Sequence, residues 1–138
     1  MPPDHRLAIV VNPDLPLGLL ANTVGAIGIG LGARRPWLGN RQLTDADGRI
    51  IDDSSILPVP ILAASSEVIQ ALMLKAMPRP DDSALVAFPA FSRALHDYRE
   101  YEALLPDKRL AEEVIDGLGL CGPSKWVKSL TGSLRLLR

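Results

Sequence analysis

The sequence predicts an α/β domain of three layers: a mixed, largely parallel sheet of four or five strands with helices on both faces. Three observations carry this. Short aliphatic runs at Leu7–Val11, Leu57–Ala63 and Ala84–Phe88 alternate with stretches of helical period, the pattern of strands separated by helices. The chain has 138 residues, enough for one core and too few for two. Its last two dozen residues, Val114 to Leu137, read as an apolar strand, a Gly-Pro corner, an amphipathic helix, a Thr-Gly stop and an alternating strand.

Leu7-Ala-Ile-Val-Val11 is a continuous aliphatic run, as in a strand covered on both faces. Asn12-Pro-Asp-Leu-Pro16 breaks it, and a helix is expected from near Gly18 to Gly32. Ala21, Gly25, Gly28 and Gly32 share one face of that helix. Each glycine costs about 1 kcal/mol relative to alanine, so close backbone approach along that face is the expected return. Leu15–Ala33 carries no formal charge over nineteen residues, long enough to cross a bilayer. Its five glycines, Pro16 and Asn22 favour a buried helix without a membrane.

Asp47-Gly48 marks a hairpin turn between Gln42–Ala46 and Arg49–Ile51. Leu57–Ala63 holds Pro58 and Pro60, which suits an edge strand or one paired on a single side. Ser65 can cap a helix with Glu67 in its first turn, a stripe of Val68, Ile69, Leu72, Met73 and Ala76, and a stop at Pro78. After the Ala84–Phe88 strand, Phe91, Leu95, Tyr98 and Leu105 predict one further helix. Asp107 then caps a short turn leading to the closing stretch.

Composition narrows function by exclusion. The formal net charge is −1, so no global field recruits nucleic acid or an anionic membrane. A lone cysteine, Cys121, allows no internal disulfide and suits a cytoplasmic chain. One cysteine and two distant histidines, His5 and His96, make no zinc set, and no metal or cofactor is expected. Asp45-Ala-Asp-Gly-Arg-Ile50 resembles the middle of a calcium loop, but Leu43 and Ser54 stand where its end ligands belong, so it reads as a turn.

Gly117-Leu-Gly-Leu-Cys-Gly122 matches the glycine pattern of dinucleotide sites, yet no acid follows it before Arg138 to hold a ribose. Close packing within a strand is the better explanation. The corner after it is more promising. Pro123 suits a first helical position, and the N–H groups near Ser124 and Lys125 would point outward toward an anion. The plain alternative is that Lys125 and Lys128 only solvate a surface helix. Asn12, Asp14 and Asn22 lie just after the first strand, where α/β proteins place ligand crevices. Loop capping by Asn12 and Asp14 is the alternative there.

From Gly117 onward the chain resembles the end of class II peptidyl-tRNA hydrolases, with Gly122-Pro123, the Lys125–Leu130 helix, Thr131-Gly132 and Leu134–Leu137. Val59–Ala63 with the Ser65–Met77 helix, and Leu7–Val11 with Asp14-Leu15 and Gly18, resemble that fold's earlier parts. The Asn12-Pro-Asp-Leu-Pro opening, Asn22 and the Tyr98/Tyr101 helix look more closely like an uncharacterised bacterial family, the domain of unknown function numbered two thousand, placed with that fold. The hydrolases carry lysines in the loop after the first strand, where this chain has Pro16, Leu17, Leu19 and Leu20. It has Val24-Gly25-Ala26 in place of a Ser-His-Ala, and Pro89-Ala90-Phe91 in place of an Asp-Ala-Gly-x-Thr loop.

The resemblance therefore implies the fold without the hydrolase residues. The expectation is a single domain over 1–138 that binds a small polar or anionic ligand. Its crevice would combine Asn12, Asp14, Gly18, Asn22, Ser124 and Lys125, with Tyr98 and Tyr101 contributing. The alternative is a divergent hydrolase of peptidyl-tRNA or another acylated substrate, with Asp14 as acid/base and Lys125 as charge stabiliser; the charge balance gives tRNA no support. A homodimer is expected, with contacts near Val59 and Trp126.

Overall fold

A computed structural model describes residues 4–138. The order of elements is β1 (His5–Val11), α1 (Leu17–Arg34), β2 (Gln42–Thr44), β3 (Ile50–Asp52), β4 (Ile61–Ala63), α2 (Ser66–Ala76), β5 (Ala84–Pro89), α3 (Arg99–Leu104), β6 (Ile115–Pro123), α4 (Ser124–Thr131) and β7 (Arg135–Leu136). Five strands form one sheet in the order β5-β6-β1-β4-β7, and β2-β3 form a separate hairpin.

The sheet is mixed but not largely parallel. Only β1 and β4 run parallel, while β1–β6, β5–β6 and β4–β7 are antiparallel. The sequence pattern suggested crossover helices between successive strands. Residues 90–113 instead form short turns and α3 at the end where β5 finishes, so the chain returns as β6 in the opposite direction. A hydrogen bond from Ala90 N–H to the Val114 carbonyl (2.8 Å) closes that excursion.

β1 is buried from Leu7 to Val11, as its uniform aliphatic run requires. Its alternate residues feed two apolar clusters. Leu7 and Ile9 pack with Ile27 and Leu31 of α1, and Ala8 and Val10 pack with Ile69 and Met73 of α2 and Val127 of α4. Ser65 caps α2, its Oγ accepting from Val68 N–H (3.3 Å). Ile69, Leu72, Met73 and Ala76 are buried as expected, but Val68 faces outward.

α1 spans the expected residues with a different buried face. Thr23, Ile27 and Leu31 point inward, and the rest of the helix is half-buried or exposed. A Cβ added at Gly25, Gly28 or Gly32 would meet nothing within 4 Å, so these glycines permit no close approach. In α1 only Gly30 is tight, a Cβ there meeting Val86 Cγ1 at 3.1 Å; the closest approach is made by the strand's glycines instead. A Cβ on Gly117 would meet Thr23 Cγ2 and Ile27 Cδ1 at 2.8 Å, and one on Gly119 would run into Ile27 and Leu31. Gly122 leaves room for the Trp126 ring in the same way, at 2.9 Å. The glycine pattern of β6 is thus a seat for α1 and α4.

Two further expectations change. The prolines at 58 and 60 keep Leu57–Pro60 irregular and leave β4 only three residues, yet β4 is internal, between β1 and β7. The helix expected from Phe91 to Leu105 is broken. Asp97 Oδ1 accepts from Arg99 N–H (2.9 Å), a turn that starts α3 afresh.

Candidate functional site

The polar groups that converge lie where β1 ends and β6 begins. Asn12 N–H donates to the Asp116 carbonyl (3.0 Å), which fixes the loop after β1 against the start of β6. Within that loop Asn12 Oδ1 accepts from Asp14 N–H (3.0 Å), so the side chain makes the turn that Pro13 permits. Asn22 is exposed on α1, and its Nδ2 donates to the Tyr98 hydroxyl at 2.7 Å. The Tyr98 ring stands edge-on to Phe88, which lies opposite Gly117 in the ladder.

Asp116 is the buried charge of this end. It has no solvent exposure, in a strand otherwise built of Ile, Leu, Gly and Cys. Such a carboxylate must be paired and hydrogen-bonded. Arg93 supplies both needs, with Nε 2.5 Å from Oδ2 and Nη2 2.7 Å from Oδ1. This two-point grip raises the arginine's pKa further and fixes the plane of the guanidinium. Its side chain remains 39% exposed, and Nη1 has no protein partner among the described residues. Beside it in the chain, the Ser92 Oγ is buried without a hydrogen-bond partner among the described residues.

Of the residues expected from sequence, Asn12, Asp14, Asn22 and Tyr98 gather at this end. Gly18 is exposed, in the first turn of α1. Tyr101 packs against Phe91 and reaches toward the Ala87 carbonyl at 3.5 Å, and burial pushes its phenol up.

Ser124 and Lys125 lie elsewhere. His5 pairs with Pro123 and Val11 with Gly117, so six residues of β1 separate the two ends. At about 3.3 Å per residue that is roughly 20 Å. A single crevice holding Asn12, Asp14, Ser124 and Lys125 is therefore excluded by the register. The start of α4 is also less open than expected, because Ser124 is buried and its N–H donates to the Asp4 carbonyl (2.9 Å).

Arg93 and Asp116 were not among the residues expected. The available signal was an acid inside an apolar strand, a combination that demands a cation. Two cavities of about 370 Å³ each lie away from this polar end. One is under the C-terminal half of α1, over Leu7, Ile9 and Leu38; the other lies near His5, Leu57 and Pro60. No group of three or more His, Cys, Asp or Glu among the described residues is placed to hold a metal ion.

With this geometry established, comparison with known proteins adds the lineage. Residues 5–138 match the family described as "Protein of unknown function (DUF2000)". The chain belongs to the DUF2000 family. No curated protein matches it. A solved structure, that of the protein of unknown function Atu0240 from Agrobacterium tumefaciens strain C58, is similar with a TM-score of 0.86 at 17% identity. The similarity covers 96% of this DUF2000 chain and 97% of that one. At that identity the shared property is the fold.

Proposed function

We propose that the protein is a binding module without hydrolase chemistry, and that it takes a small polar or anionic ligand where β1 ends and β6 begins. The observation that carries this reading is the Asp116–Arg93 pair. A fully buried carboxylate holds a partly exposed guanidinium in one orientation, with its Nη1 edge turned away from the pair. A fixed guanidinium edge is suited to carboxylate or phosphate oxygens. Asn12, Asp14, and the Asn22–Tyr98 pair supply the neighbouring polar groups. Lys125, first expected in this role, stands at the other end of the sheet.

The hydrolase alternative depended on Asp14 and Lys125 acting together, and the register of β1 against β6 separates them. The fold itself supports a finer likeness. Apolar clusters on the two sides of β1 suit a three-layer arrangement, and the β6–α4–β7 ending suits the class II peptidyl-tRNA hydrolase pattern. A cytoplasmic setting belongs to the same reading, supported by the single, buried cysteine.

A thermal-shift screen with inorganic phosphate, mononucleotides and small carboxylates tests the proposal. At least one should raise the melting temperature of the native protein and lose that effect in Asn22→Ala/Tyr98→Phe. A screen in which none stabilises the protein contradicts it.

A further inference from the structure

We infer that the start of β1 is a peptide-docking slot, which takes an extended segment of another polypeptide as an added strand between Asp4–Leu7 and Leu57–Pro60. The alternation of peptide groups along β1 sets this up. Even-numbered residues bond toward β6: Asn12 N–H donates to the Asp116 carbonyl, and Ser124 N–H donates to the Asp4 carbonyl. Odd-numbered residues bond toward β4: Ile9 N–H donates to the Pro60 carbonyl (3.0 Å), and the Val11 carbonyl accepts from Ala64 N–H (3.2 Å). Leu7 and His5 therefore turn their N–H and C=O groups toward residues 57–60.

That segment cannot answer them. Ala64 serves the Val11 carbonyl, and stepping back by two residues on both chains sets Pro60 opposite the Leu7 carbonyl and Pro58 opposite that of His5. Proline has no N–H to donate. Among the described residues no bond runs from Leu7 N–H to the Pro58 carbonyl either, and the β1–β4 ladder begins only at Ile9. Ile56 N–H donates instead to the carbonyl of Leu38 (2.9 Å), which packs in the cluster on the α1 side, so the chain before β4 is drawn off the sheet. A cavity of about 370 Å³ opens where the ladder would have continued. Leu7 is only 4% exposed, and peptide groups so placed are costly without partners.

The unpaired strand groups select the occupant. An extended backbone presents N–H and C=O to one side at every second residue, the spacing of His5 and Leu7. A purely apolar ligand leaves both carbonyls without a donor. At about 3.3 Å per residue, Asp4–Leu7 offers roughly 13 Å of edge. The walls add a side-chain preference. Leu7 and Leu57 belong to the apolar cluster on the α1 side, whereas Arg6 and Ser124 line the slot from the α4 side, so apolar and polar residues should alternate in the guest. The edge of a second copy's sheet does not fit, because Leu57–Pro60 stands where its next strand would lie, about 4.8 Å further on. A free segment of a partner protein has no such neighbour.

NMR on the whole chain tests this with a capped tetrapeptide of alternating leucine and serine as the probe. In the free protein the Leu7 amide should exchange its hydrogen faster than that of Ala8, which is paired with β6. The probe should shift the His5 and Leu7 amides saturably, and at about nine-tenths occupancy it should slow their exchange roughly tenfold. The same tetrapeptide with methylated backbone nitrogens keeps its side chains but has no N–H, and should do neither. Equal protection of Leu7 and Ala8 in the free protein, no saturable shift at Leu7, or equal shifts from the methylated probe overturns the proposal.

Discussion

Glycine in this chain has opposite meanings at positions that look alike in sequence. Gly119 in β6 lies against Ile27 and Leu31, and Gly25 in α1 faces open space. Gly119→Ala should therefore overpack the α1 seat and cost about 1–3 kcal/mol. Gly25→Ala removes unfolded-chain freedom and raises helix propensity, so it should stabilise by roughly 0.5–1 kcal/mol. Thermal denaturation of the two variants beside the native protein should show shifts of opposite sign. Cys121 makes a second prediction at this scale. Burial pushes its thiol up to about 11 from an ordinary value near 9. Between those values the folded protein keeps the proton while the unfolded chain gives it up, so stability should fall as pH rises through that window. Denaturant unfolding of the native protein and Cys121→Ala, from neutral pH to above pH 9, should show the steeper loss in the native protein. Equal slopes would mean that the thiol titrates normally.

At the scale of elements, much was legible because local signals agreed. The apolar run of β1, the Ser65 cap with the Ile69–Ala76 stripe, and the β6–α4–β7 ending each follow from period and punctuation. What local signals do not carry is decided by tertiary partners. Strand direction is not written in an aliphatic run, and the return from β5 to β6 depends on a long excursion whose ends meet at Ala90 and Val114. The small residues of α1 do not mark its buried face, because they permit close packing without requiring it. Thr23, Ile27 and Leu31 are equally spaced along the helix and were the face that β6 could seat. The Phe91–Leu105 period was real but spans turns and α3, fastened to the sheet through Arg93 and Asp116.

At the scale of the whole molecule, the sheet has two distinct ends, where the sequence pattern suggests a single crevice. The residues around Asn12 and those around Ser124 are neighbours in neither chain nor space, because β1 and β6 cross the sheet between them. Half of the candidate site could be read as polar residues following the first strand. The cation that completes it comes from the 90–113 excursion, whose path no local pattern gives. Ligand binding at the Arg93 end is tested most directly by an NMR titration with inorganic phosphate, following backbone amides and the arginine Nε–H groups. Ligand binding at this end should give concentrated shifts at Arg93, Asn12, Asp14 and Asn22. Shifts confined to Ser124 and Lys125, or no saturable shift at Arg93, would contradict it.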